Sequence, residues 1–159
     1  MSVWGALAGG VLGTVVLTSM LRLAQELGFT RMDIPLLLGT AFTASRRRAN
    51  AIGYALHFTN GLLFALAYAG IFFAVGRAGW IFGGLLGVVH ATFAGGALIN
   101  VLLPAVHPRM GTPWSDAAET PLLEPPGFML ANYGRQTVLG NLVAHIAYGA
   151  IVGGFTAGF

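Results

Sequence analysis

ANAIGYALHFTNGLLFALAYAGIFFAVG (Ala49–Gly76) carries no formal charge from end to end. A helix needs only about 20 apolar residues to cross the hydrocarbon core of a bilayer. Three more uncharged stretches match it: from the N-terminus to Leu21, between Arg77 and Arg109, and from Gln136 to Phe159. Only Gly76 to Gly79 separates the second stretch from the third, which predicts a tight antiparallel hairpin. Pro104 and Pro108 near the end of the third predict that its helix stops at about Leu103. The whole chain of 159 residues is 56% hydrophobic and 8% charged. A soluble domain carries roughly a quarter of its residues charged, so these charges are too few to cover a water-facing surface. No span shows a charged face either, which argues against a soluble all-helical protein. The fold class is therefore all-α, an integral membrane four-helix bundle forming a single transmembrane domain over 1–159.

The placement of charge orients the chain. Every basic residue is Arg. Arg22, Arg31, Arg46, Arg47 and Arg48 fall between spans one and two, Arg109 and Arg135 between spans three and four, and only Arg77 on the opposite side. The positive-inside rule then puts both long connections in the cytoplasm and both termini outside. The acids Glu26, Asp33, Asp116, Glu119 and Glu124 lie in the same connections. No positive charge precedes the first span, so it is read as a retained helix rather than a cleaved signal. Arg46, Arg47 and Arg48 stand immediately before a membrane helix and suit anionic lipid headgroups, at about 1 kcal/mol each. Nothing in the pattern points to nucleic acid.

The connections carry local signals. Arg22 and Glu26 are spaced to pair on a helix that runs past the membrane surface. Asp33 before Ile34 and Pro35 reads as an N-cap with a first-turn proline, opening a short interfacial helix that Gly39 would end. Trp114 and Tyr133 suit the headgroup level, and Gly127 to Tyr133 is apolar enough to dip into the interface. His107, Arg109, Asp116 and Glu119 read as a solvated loop without a convincing nucleophile.

Two halves of the chain echo each other. AGGVLGTVVLTSM (Ala8–Met20) matches FGGLLGVVHATFA (Phe82–Ala94) at Gly9 with Gly83, Gly10 with Gly84, Leu12 with Leu86, Gly13 with Gly87, Val15 with Val89 and Thr18 with Thr92. An Arg-Met-x-x-Pro phrase follows in each half, at Arg31 to Pro35 and Arg109 to Pro113. Each half closes on a His-x-x-x-Gly helix, His57 to Gly61 and His145 to Gly149. We read a tandem parallel repeat of two helical hairpins, about 3–75 and 79–159. Gly9 and Gly13, like Gly83 and Gly87, form small-x-x-x-small faces for close helix packing, so spans one and three are expected to be the mutually packed pair. Contact with a second copy or another subunit is the competing use.

Ionisable groups at membrane depth are site candidates. His57 lies about 9 to 12 Å and His145 about 14 Å along their helices at 1.5 Å per residue. Gly53, Tyr54, His57, Asn60, Gly61 and Phe64 share a face of span two, as do Asn141, His145, Tyr148, Gly149 and Val152 of span four. His90 shares a face with Gly83 and Gly87 and has no counterpart in the first half. Three readings stay open. Neutral imidazoles bonded to Asn60, Asn141, Tyr148 or backbone hold the helices together. Alternatively His57 and His145 ligate a b-type haem or share a metal ion with His90, in a membrane redox protein. In the third, the His/Asn/Tyr stripe is a polar path or small-solute site of a small transporter.

Without Cys there are no disulfides, thiolate metal sites or iron-sulfur ligation. Without Lys there is no Walker-type phosphate loop, and neither G-x-S-x-G nor H-E-x-x-H occurs. We therefore expect a non-enzymatic membrane component, an accessory subunit of a larger complex or a small homo-oligomer. In MDIPLLLGT (Met32–Thr40), HPRM (His107–Met110), PPGFMLANYG (Pro125–Gly134) and AHIAYGAIVGG (Ala144–Gly154) the chain resembles small bacterial multi-pass inner-membrane proteins of families of unknown function. That resemblance implies a bacterial inner-membrane location and no particular chemistry.

Overall fold

Helix α1 (Val3–Glu26) starts where Ser2 Oγ accepts the Gly5 amide at 3.2 Å, a side chain filling one of the open donors of the first turn. The computed structural model describes residues 1–111 and 123–158. Asp33 caps α2 (Ile34–Thr40) as its sequence predicts, its carboxylate accepting the Leu36 amide at 3.0 Å with Pro35 in the first turn. Gly39 does not end that helix, which runs on to Thr40. The residue is needed for a different reason, because any Cβ there would collide with the Ala49 backbone of α3 (Arg46–Val75). Likewise Gly53 of α3 lies directly on the Pro35 backbone, so α2 is pressed flat against α3.

Gly76 ends α3 at φ 71°, a left-handed conformation that glycine adopts without a Cβ penalty. The chain reverses over Gly76–Gly79, as the short uncharged gap predicts, and enters α4 (Trp80–Val106). Within α4 the stretch Ala94–Leu102 is wound as a π-helix, wider by one residue per turn. Pro104 does not stop α4, which continues to Val106. The proline falls in the first turn of the closing α-helical segment Leu103–Val106, where a missing amide costs least. A 3₁₀ turn (Phe128–Tyr133) then leads into α5 (Arg135–Ala157).

Helices α1, α3, α4 and α5 are each long and apolar enough to cross a membrane. Their outer surfaces agree, with Trp4, Leu63, Ile81, Leu85, Val89 and Val101 all more than half exposed. In water such a surface would be an association patch, whereas acyl chains match it. Ser2 N donates to Thr156 O at 2.8 Å, so the chain ends meet at one end of the structure. The two long connections meet at the other. There Arg31 N donates to Tyr133 O at 2.8 Å, Arg31 pairs with Glu124 at 2.9 Å, and the Thr30 and Thr137 hydroxyls lie 2.6 Å apart.

The packing order corrects one expectation. Spans one and three are not a mutual pair; both α1 and α4 lie against α5, which is the central helix. Gly9 and Gly13 of α1 face Val152 and Tyr148, while Gly83 and Gly87 of α4 face Gly149 and the His145–Ile146 backbone. The glycine faces are close-packing faces, as their spacing predicts, but they share one partner. Helix α3 packs on α1 and α2, and α3 and α4 have scarcely any backbone contact although they are consecutive.

Candidate functional site

Between α3 and α4 lies a cavity of about 100 Å³, reached by side chains of all five helices and by Leu130 of the 3₁₀ turn. Its floor is polar and comes from three helices: His57 and Asn60 of α3, His90 of α4, and Asn141, His145 and Tyr148 of α5. Five of these come together as the stripe pattern predicts, and His90 joins them.

The hydrogen bonds fix how the rings are held. The Thr18 hydroxyl donates to Thr14 O at 2.6 Å, so its oxygen accepts from His57 Nε2 at 3.0 Å. The neutral His57 ring then has a bare acceptor at Nδ1. His145 Nδ1 donates to Asn141 O at 2.8 Å, because a carbonyl only accepts, and this leaves Nε2 as the bare acceptor. His90 is wedged among rings: Phe64 stacks on it at 3.8 Å, His145 meets it edge-on at 4.6 Å and Tyr148 at 5.6 Å. Tyr68 Oη lies 3.4 Å from His90 Nδ1. The Tyr148 hydroxyl donates to Gly61 O, and Asn141 Nδ2 reaches Ala91 O at 3.5 Å. Among the described residues, no buried side-chain nitrogen or oxygen is left unpaired. His57, His90 and His145 each keep one ring nitrogen without a hydrogen-bond partner, and all three rings line the cavity.

Tyr54 is not part of this constellation. It is exposed and lines an outer groove with Arg22, Glu26 and Phe58, because α2 occupies the neighbouring Gly53 face and turns Tyr54 outward. Arg46, Arg47 and Arg48 form the exposed first turn of α3 rather than a segment before it. Arg22 bonds Asp33 at 3.3 Å and Gln25 at 2.9 Å in place of the expected Glu26, since the chain returns over α1 after Gly28. Tyr133 is buried instead of facing headgroups, its hydroxyl donating to Glu124 O at 2.9 Å. Burial and the Glu124 charge push that hydroxyl up to about 12.

One group of residues was misread in sequence. His107 is buried, and Arg109 is half-buried; both dock on the C-terminal end of α2. His107 Nε2 donates to Leu37 O at 3.1 Å and its Nδ1 accepts the Arg109 amide at 3.1 Å. Arg109 Nη1 donates to Thr40 O at 2.6 Å, a cation on open carbonyls at the negative end of a helix. Desolvation by burial holds the His107 pKa below its ordinary value. Pro108 with two flanking polar residues reads as loop, and only the fold reveals the buried contact. Thr112, Pro113, Trp114, Asp116, Glu119 and Pro121 lie outside the described residues.

Among the described residues no three His, Asp or Glu side chains are placed to hold one metal ion. The fold and the cavity define an all-helical protein with four helices fit to cross a membrane and an internal histidine-lined site. No protein-family model, no curated protein and no solved structure matches the chain.

Proposed function

We propose that this chain is a non-enzymatic component of the bacterial inner membrane, an accessory subunit or small homo-oligomer whose cavity holds a small hydrogen-bond donor. The observation that carries this reading is that His57 and His145, whose Nδ1 and Nε2 respectively are left as unpaired acceptors, line one cavity from two helices. The cavity of about 100 Å³ falls below the roughly 300–1,000 Å³ of sites for drug-sized ligands, which favours a compact ligand or headgroup over a macrocycle. The ring of Phe64 stacked on His90 takes up space that a haem plane needs.

In this reading both termini are outside and both long connections cytoplasmic, supported by Arg77 being the only basic residue on the terminal side. Three arginines in the first turn of α3 oppose the helix dipole, and anionic headgroups around them offset that repulsion. The chain lacks Cys, so Ser2→Cys and Ser45→Cys give clean single-site probes. In intact cells a membrane-impermeant maleimide should label the first and spare the second; the reverse pattern overturns the orientation.

The binding reading is tested with phenol, added to protein carrying ¹⁵N-labelled histidine in nanodiscs. The His57 and His145 ring nitrogens should shift, His107 should stay unchanged, and His145→Phe should abolish the His57 shift. Unmoved rings at saturating phenol overturn the reading. A Soret band from the purified protein, lost in His57→Ala or His145→Ala, would replace it with haem ligation.

A further inference from the structure

The gap between α3 and α4 has a shape with its own consequence. At the Gly76–Gly79 turn the two helices are held together by rings, Phe72 against Phe82 at 5.5 Å and then Tyr68 and Phe64 against His90. Beyond His90 they diverge and take different partners. The N-terminal half of α3 is engaged by α2 at Gly53 and by Thr18 of α1. The π-wound part of α4 leans instead on the 3₁₀ turn, with Gly95 at Met129 and Gly96 at Phe128. The result is a wedge, closed at the turn and widening toward the long connections, with the cavity inside it.

Two features tell what the wedge is open to. Its far end is covered by protein, Ile34 and Leu38 of α2 and Leu130 of the 3₁₀ turn, all apolar and all lining the cavity. Among the described residues α3 and α4 have scarcely any backbone contact on this side, where the cavity is lined by exposed Asn60 of α3 and half-buried Leu98 of α4. Both helices lie within the candidate membrane spans, so the solvent beside that gap is acyl chain. Among the described residues the cavity is thus apolar toward the connections, polar along its histidine side, and bordered by the gap between α3 and α4.

Resting on the small-donor reading above, we propose that the α3/α4 gap is a lateral portal, and that the ligand is a hydroxylated amphiphile dissolved in the bilayer. Its hydroxyl donates to His57 Nδ1 or His145 Nε2, a ring or short head fills the cavity beside Phe64 and Tyr148, and its apolar chain leaves between Asn60 and Leu98. A buried acceptor pair rejects an analogue without the hydroxyl, because that analogue displaces water while returning no hydrogen bond.

The experiment uses the full chain in phosphatidylcholine nanodiscs with two probes, water-soluble phenol and membrane-confined 4-dodecylphenol. The ring shifts at His57 and His145 should appear with 4-dodecylphenol in proportion to its mole fraction in the lipid. Dodecylbenzene, which lacks the hydroxyl, should bind at least tenfold more weakly. Leu98→Trp, which places an indole beside the gap, should weaken 4-dodecylphenol binding at least tenfold and leave the phenol shifts in place. Phenol binding without any 4-dodecylphenol binding overturns the portal and keeps the cavity reading. Silence from both probes overturns the two together. Equal 4-dodecylphenol binding in wild type and Leu98→Trp also overturns the portal.

Discussion

Along the seam between α1 and α3, backbone meets side chain: Gly10 lies on Ala65, Gly61 on Thr14, and His57 bonds Thr18. Along the seam between α4 and α5, backbone meets backbone: Gly83 lies on Gly149 and Gly153, and Gly87 on the His145–Ile146 peptide. Both seams carry glycines and use them differently. In lipid there is no hydrophobic drive between helices, so close backbone approach supplies dispersion contact that water would otherwise make unnecessary. The second seam takes that route fully and carries His145 in as a rigid element. The first keeps side chains in its seam and thereby leaves room for a polar floor. The difference continues outward, because α1 packs on α5 whereas α4 stands away from α3.

This contrast can be broken most forcefully at Gly149. Gly149→Ala drives a methyl into the Gly83 carbonyl, which no side-chain rotation relieves. It should destabilise the protein by about 3 kcal/mol in a bicelle unfolding titration. Gly10→Ala sets its methyl 2.6 Å from the Ala65 Cβ, a contact with a side chain on a helix that can shift, and should cost about 1 kcal/mol in the same titration. Equal losses would remove the distinction between the seams.

Tyr148→Phe sharpens the comparison, since that hydroxyl joins α5 to Gly61 of α3 and so ties the two seams together. A loss of about 0.6 to 1.7 kcal/mol is expected, the range of interhelical hydrogen bonds in membrane proteins. Gly70→Ala is the reference: nothing lies within 4 Å of a Cβ there, so stability should hold or rise slightly through helix propensity.

The smallest effect concerns the clasp at the connection end. The folded-state pKa of His107 lies below its ordinary 6.5, so between those values the unfolded chain binds more protons than the folded one. The stability contributed by neutral His107 is therefore complete above about pH 6.5 and is lost as pH falls toward the folded value. Protonation also removes the Nδ1 acceptor from the Arg109 amide. Amide exchange at Arg109 should accelerate from pH 7.5 to pH 5.5 after correction for intrinsic rates, and His107→Gln should abolish that acceleration.

How much of this was legible in the sequence depends on which physical rule applied. Span lengths, the Gly76–Gly79 reversal and the Asp33 cap follow from hydropathy and local hydrogen bonding, and all are found. His57, Asn60, Asn141, His145 and Tyr148 were legible as a polar group because helical spacing aligns them on two faces, and they line one cavity. Tyr54 was not separable from them, since its outward turn is set by α2 covering Gly53. Glycine spacing announced close approach but carried no information on the partner, so α5 as the shared centre came only from the fold. The π-wound segment and the buried His107 likewise depend on contacts between residues far apart in the chain.

The central claim is that imidazoles from different helices meet at one cavity, and ring-to-ring distance tests it most directly. Solid-state NMR spin diffusion between ¹³C,¹⁵N-labelled histidine rings in lipid bilayers should give a cross-peak between His90 and His145, whose centroids lie 4.6 Å apart. His145→Phe should remove that peak, and His107 should show none to either ring. A spectrum in which His90 and His145 exchange no magnetisation at long mixing times would contradict the account.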